Sequence, residues 1–232
     1  MDADAETDEL VSGRLVVLAG GTSAAGRTCA RALLDAGARV VVVGSDGERL
    51  AALEDEIPGT IVERCDLTDE SAVTDLRGRV HARLGAVDGV LHLVGGWRGG
   101  GGLAGQSDDD FVFLSRSLTA LRHVSRAFDD DLRASPAGRL AIVSSTAVTR
   151  PLAGGANYAA IKAASEAWTR AVAQGYAKAA RDDGRDPTAA AVIFRVRGLD
   201  GLEGALASSF VGLWDDDADA LNDVVIELTT GS

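Results

Sequence analysis

Short apolar runs recur along the chain at intervals that leave room for a helix between each pair. Arg14 to Leu18, Val40 to Val43, Ile61 to Arg64, Gly89 to Val94, Leu140 to Val143, Ala190 to Val196 and Val224 to Leu228 each read as a strand. Several of them are apolar without alternation, the mark of strands buried on both faces. Between them, Arg27 to Ala36, Glu48 to Glu56, Thr68 to about Leu84, Asp108 to about Arg133, Ala156 to about Ala180 and Gly204 to Trp214 read as helices. In the long helix from Asp108, the residues Phe111, Leu114, Leu118, Leu121 and Val124 recur at helical spacing and are expected in the core. This alternation predicts an α/β protein with a doubly wound, seven-stranded parallel sheet and helices on both faces. No repeat or linker divides the chain, so residues 11–232 are expected to form one domain, preceded by a disordered acidic tail over residues 1–10.

The first strand runs into Ala19-Gly20-Gly21-Thr22-Ser23-Ala24-Ala25-Gly26 and then a helix. Small residues in a strand-turn-helix let the backbone approach a pyrophosphate, while the helix N-terminus offers free N–H groups. Gly20, Thr22, Ser23, Ala24, Ala25 and Gly26 are therefore candidate cofactor contacts. After the second strand, where a carboxylate would bind the ribose of NAD, the chain has Gly44-Ser45. That leaves room for a 2′-phosphate near Ser45 or Arg49 and favours NADP, with NAD kept open by the nearby Asp46. Asp66 and Leu67 after the third strand, and Val94 and Gly95 after the fourth, are further candidates. Asp66 fits an adenine contact or an ordinary turn equally well. The loop Gly95 to Gly102 is glycine-rich, which implies mobility and close backbone approach. Gly96, Trp97 and Arg98 in it are either substrate contacts or part of a plain surface loop.

Ser144-Ser145 ends the fifth strand, and Tyr158 and Lys162 sit one helical turn apart further on. An ammonium beside a phenol is expected to lower the phenol pKa, so that the tyrosine can exchange a proton with a carbonyl or alcohol oxygen. Ser145 could hold that oxygen.

Composition narrows the field. With 46% hydrophobic residues the chain can bury a core, and a net charge of −12 argues against a nucleic-acid partner. Lysine is almost absent while arginine and aspartate are plentiful, from gene base composition or adaptation to salt. No apolar run is long enough for a membrane span and no secretion signal is visible, so a cytoplasmic location is expected. Cys29 and Cys65 are isolated and read as buried residues of a reduced protein, and no metal site is expected.

With these pieces in place, the chain resembles the short-chain dehydrogenase/reductase family from about Gly13 to Leu228, which implies a Rossmann-like fold. The family's T-G-x-x-x-G-x-G falls on Ala19, Gly20, Ala24 and Gly26, and the spacing of thirteen from Ser145 to Tyr158 and four to Lys162 matches its active-site pattern. The resemblance implies an NAD(P)-dependent oxidoreductase acting on a small carbonyl or alcohol. Tyr158 would be the acid/base, Ser145 would orient the substrate oxygen, and Lys162 would hold the nicotinamide ribose. It also implies a homodimer or homotetramer built on the long helix and the Tyr158 helix. Several positions depart from the pattern. N-N-A-G appears as His92-Leu93-Val94-Gly95, with His92 read as a packing residue. The active-site asparagine falls on Ser117, and the usual Pro-Gly is Arg197-Gly198. The lid around residues 197–219 is abbreviated, so the substrate is large and exposed or another subunit completes the lid. These departures also keep open a non-catalytic dinucleotide-binding sensor or scaffold.

Overall fold

The computed structural model describes residues 10–229. The acidic tail expected at the N-terminus lies outside them up to residue 9. Seven strands, β1 (Leu15–Ala19), β2 (Arg39–Gly44), β3 (Ile61–Arg64), β4 (Gly89–His92), β5 (Gly138–Ser145), β6 (Ala189–Val196) and β7 (Val225–Glu227), form one sheet in the order β3-β2-β1-β4-β5-β6-β7. Every pairing is parallel. The chain order reverses between β1 and β4, where the carboxyl ends of the strands diverge and open sheets bind ligands.

Helices cover both faces because strand residues alternate in direction. Val16, Leu18, Val40 and Val42 pack against α1 (Ala24–Asp35), α2 (Gly47–Glu56) and, further along the chain, the helix Glu203–Val211. Leu15, Val17, Val41 and Val43 face the other way, towards α3 (Glu70–Leu84) and α4 (Asp108–Ala127). With α5 (Asp129–Ala134), α6 (Ala156–Asp182), α7 (Glu203–Val211) and α8 (Ala218–Leu221) the doubly wound architecture is complete. Among the described residues no helix is long and apolar enough to cross a membrane. Cys29 and Cys65 are free and buried, and burial pushes their thiols up to about 12 and about 11, where they are inert.

Two expectations need correction. The long helix is not continuous to Arg133: it breaks at Phe128, whose ring is fully buried at the junction of α4 and α5. The chain restarts there with Asp129 to Asp131, and buried Asp131 accepts from His81 Nε2 at 2.6 Å and from the Val87 amide at 3.2 Å. Phe111 is not in the core either. It is 45% exposed because it lies in the solvated first turn of α4, beside three aspartates, whereas Leu114, Leu121 and Val124 are buried and Leu118 is half-buried.

The amino end of the sheet is held by a buried cation whose hydrogen bonds all go to main-chain carbonyls, with Asp216 and Asp217 near enough to oppose the effect of its burial. Arg139 in β5 donates to the carbonyls of Leu213 (2.8 Å), Gly138 (3.0 Å), Thr188 (3.2 Å) and Asp216 (2.9 Å). Its planar fork reaches several acceptors at once, tying the segment after α7 to the sheet. Burial lowers its pKa to about 10, with Arg14 adding to the effect, so it stays charged at neutral pH. Replacing it leaves buried carbonyls without donors. Arg139→Leu is therefore expected to lower the urea unfolding free energy by about 3 kcal/mol; a loss well under 1 kcal/mol would show that the guanidinium does not hold this end together.

Candidate active site

Ser145 is the last residue of β5, and its hydroxyl accepts from the Ala147 amide at 3.2 Å, capping the 3-10 turn Thr146–Val148. Tyr158 and Lys162 lie near the start of α6, which packs along β5. Lys162 Nζ donates to the Val143 carbonyl at 2.7 Å and stands 5.8 Å from the centroid of the Tyr158 ring. Serine, tyrosine and lysine thus converge at the carboxyl end of one strand.

The electrostatics differ from expectation in one respect. The Tyr158 phenol is raised, not lowered: its burial outweighs the hydrogen bond with the Ser145 hydroxyl, which acts the other way. The ammonium engages the Val143 carbonyl from beside the ring and does not reverse the balance. Burial pushes Lys162 down to about 8, opposed by Glu166.

Glu166 was invisible to motif reading, although it continues the Tyr158, Lys162 spacing by one more turn. It is buried, accepts from Ser144 Oγ at 2.7 Å, and takes Arg195 Nε at 3.1 Å and Nη2 at 2.7 Å. Burial raises its pKa, but the bonds from Arg195 and Ser144 together hold the carboxyl below its usual range. Ser144, Glu166 and Arg195 thereby join β5, α6 and β6 directly behind the Ser145 end.

At the other end of the cleft, Ser23 caps α1 by accepting from the Gly26 amide at 3.2 Å. Gly20 has φ +81°, and a Cβ there would lie 2.8 Å from a Val94 methyl; a Cβ on Gly26 would lie 2.1 Å from the Gly21 carbonyl. The turn is packed so closely that only glycine fits at these two positions, and the first turn of the 12-residue helix keeps amides, besides the Gly26 amide that Ser23 takes, to offer an anion. Ser45 is exposed beyond β2, where Arg64 Nε donates to its carbonyl at 3.2 Å and Arg49 Nη2 donates to the Thr22 carbonyl at 3.2 Å. The Asp46 carboxylate is turned away, capping α2 through the amides of Glu48 and Arg49.

A cleft of about 1260 Å³ connects the two ends. It is lined by Ser23, Val94, Gly95, Gly96, Trp97, Ser145, Tyr158 and Lys162 among the residues singled out from sequence. Its size, its small-residue cradle and the helix start at Ser23 fit a dinucleotide. Of the glycine turn only Ser23 lines the cleft; Gly20, Thr22, Ala24, Ala25 and Gly26 are not part of the lining. Ser45, Asp66 and Leu67 lie outside it, Asp66 accepting from the Thr68 amide and hydroxyl at 2.9 and 2.7 Å. Arg98 does not line the cleft: its guanidinium lies 4.1 Å from the centre of the Phe113 ring and 3.7 Å from Asp110. Ser117 is also outside, its hydroxyl donating to the Leu114 carbonyl at 2.8 Å and its own carbonyl facing His92 Nε2 at 3.1 Å. His92, buried, does line the cleft.

The glycine-rich loop is tied down. Gln106 Nε2 reaches the carbonyls of Gly100, Gly102 and Gly154 at 3.1, 3.3 and 3.0 Å, while its Oε1 accepts from the Asn157 amide at 3.1 Å. A Cβ on Gly99 would sit 2.4 Å from the Gly154 carbonyl, so the close approach expected of the glycines is real. No local pattern marked Gln106, Arg150 or Thr149, the last two of which also line the cleft.

A family model described as short chain dehydrogenase matches residues 14–180. The L-fucose dehydrogenase of Bos taurus is 34% identical over 84 residues, covering 36% of this chain and 31% of that protein. The chain thus matches about a third of the length of that curated relative. Among solved structures, a gluconate 5-dehydrogenase from Burkholderia cenocepacia in complex with NADP and tartrate superposes with a TM-score of 0.79 at 21% identity, covering 96% of each chain. A NAD+-bound xylitol dehydrogenase gives 0.81 at 16% identity, covering 95% of this chain and 99% of that one. At these identities the structures bear on the fold.

The lowered lysine predicts a pH dependence of stability. Its folded pKa of about 8 lies below the ordinary 10.5. Between those values the unfolded chain binds a proton that the folded chain lacks, and stability rises with pH across that window. Below about 8 both states are charged and the folded state bears the full cost of burial. Lys162→Met removes that cost along with the bond to Val143, and is expected to raise the urea unfolding free energy at pH 7 by about 1 kcal/mol. The gain should vanish by pH 10.5; a variant less stable than the parent at pH 7 would contradict the lowered pKa.

Proposed function

The chain belongs to the short-chain dehydrogenase family, and from that premise we propose that it is an NADPH-preferring oxidoreductase that reduces a carbonyl compound to an alcohol and runs the reverse oxidation. The observation that carries this reading is the convergence of Ser145, Tyr158 and Lys162 in one cleft that opens at its far end on Ser23 and the glycine turn. The turn and the N-terminus of α1 would hold the pyrophosphate, and Lys162 the nicotinamide ribose. Bound there, the reduced nicotinamide supplies the hydride.

The protein's own part is the proton and the oxygen. A phenol whose pKa is pushed up keeps its proton at neutral pH, so Tyr158 is set to donate it to the substrate oxygen as that oxygen gains an electron pair. Ser145 holds the same oxygen. Two guanidiniums beside Ser45, together with the engagement of the Asp46 carboxylate in capping α2, support a 2′-phosphate and hence NADP. The exposed Phe111 and Val112 on α4 support a homodimer or homotetramer through that helix.

Two measurements test the reading. Tyr158→Phe should lose about a thousandfold in kcat/KM while still binding NADPH in calorimetry. Full turnover would remove Tyr158 from the chemistry, and cofactor binding with no turnover of any carbonyl by the parent protein would favour the sensor or scaffold. Arg64→Ala should raise KM for NADPH about tenfold and KM for NADH much less; equal effects on the two cofactors would argue against a 2′-phosphate site.

A further inference from the structure

The charge of the cleft runs against that of the whole molecule. The chain has 35 acidic residues against 23 lysines and arginines. Its 21 arginines are correspondingly well partnered. Among the described residues, all but Arg150, Arg181 and Arg197 have a side-chain hydrogen bond, an ion pair or an aromatic ring to rest on. Two of those three line the cleft. In a protein with a surplus of carboxylates, guanidiniums without a partner at a binding site are free to take one from a ligand.

Their placement is close to the chemistry. Ser145 and Val196 are paired across β5 and β6, so Arg197 is the next residue beyond the partner of Ser145. Arg150 follows the 3-10 turn that Ser145 caps, between Ser145 and Tyr158 in sequence. The charged lining consists of Arg150, Lys162 and Arg197 against the single carboxylate of Asp200, and Lys162 already donates to Val143. The cradle for the cofactor phosphates lies at the other end, at Ser23. Near the arginines the cleft also has apolar lips, with Trp97 66% and Leu152 71% exposed.

We propose that Arg150 and Arg197 bind the carboxylate of the substrate, which is an oxo acid with an apolar body, reduced to the hydroxy acid. This rests on the carbonyl-reductase reading above, and it explains how an acidic protein admits an anionic substrate, since two local cations offset the repulsion of the whole. It also accounts for an arginine at the end of β6 where the resemblance led one to expect proline.

The test uses two oxo acids of different reach, 4-oxopentanoate and 2-oxo-4-phenylbutanoate, each beside its methyl ester, with NADPH oxidation as the readout. In at least one pair the acid should exceed the ester about tenfold or more in kcat/KM. Arg150→Gln and Arg197→Gln should each cut that acid-to-ester ratio about tenfold through KM of the acid, with partial recovery in the lysine variants. Equal rates for acid and ester in both pairs would overturn the proposal. So would variants that raise KM for NADPH and leave the ratio unchanged, since the arginines would then serve cofactor phosphates. If no compound is turned over, calorimetry of each acid and ester into protein saturated with NADP+ separates the two ideas. Binding specific to the acid and weakened about tenfold in both glutamine variants keeps the carboxylate site while the reductase reading fails; no such binding removes the site as well.

Discussion

The cleft depends on one hydrogen bond between a buried ammonium and a strand carbonyl, Lys162 to Val143. It fixes the start of α6 against the end of β5, and so supports the hydrogen bond between Tyr158 and Ser145 through a contact that neither residue makes. A lone ammonium at this depth would be expensive to keep charged, and burial does push it down to about 8. What keeps it protonated near neutrality is Glu166 one turn further along the helix, itself held by Ser144 and Arg195. Arg195 also faces Glu227 at 3.7 Å, so the chain of charges runs from β7 through β6 and α6 to β5. The three residues that resemble a catalytic set are the visible end of that longer arrangement.

The arginine-rich, lysine-poor composition takes on structural sense in this light. Most of the surface ion pairs are exposed and individually worth little. The cations set into the sheet differ. Arg139 satisfies carbonyls from four residues, and Arg195 grips both oxygens of one carboxylate, geometries that a planar fork supports and a single ammonium does not. One of the two lysines in the chain occurs where a compact charge must fit between a strand carbonyl and a tyrosine ring. Composition by itself gave no means of telling structural arginines from those that wait for a ligand; only their partners do.

What could be read from the sequence was what chain neighbours determine. The strands at Arg14 to Leu18 and Ile61 to Arg64, the glycine turn at Gly20 and Gly26, and the Ser145, Tyr158, Lys162 spacing are local patterns, and the parallel sheet with helices on both faces follows from alternating elements. What could not be read depended on partners far away in the chain. Arg195 meets Glu166 across 29 residues and Gln106 meets Gly154 across 48. The helix break at Phe128 has no proline or glycine to announce it and follows from burying a ring. The direction of the Tyr158 shift is not legible from spacing, which shows which charge is near but not how much water the fold has removed.

The departures from the family pattern fit one another physically. A carbonyl oxygen can only accept, so the contact of His92 Nε2 with the Ser117 carbonyl puts the ring proton on Nε2 and leaves Nδ1 bare, with no partner among the described residues. Burial, with Lys162 adding to it, lowers the histidine to about 3, so the ring is neutral at neutral pH. Neutrality is what this position requires, because a second buried cation would push the Lys162 ammonium further towards losing its proton. The serine fits for a complementary reason: its hydroxyl is satisfied within α4 by the Leu114 carbonyl, so it makes no demand on the cleft and its own carbonyl is left to orient the imidazole. Histidine at 92 and serine at 117 are therefore joined by one contact between two elements that adds no charge beside Ser145, Tyr158 and Lys162.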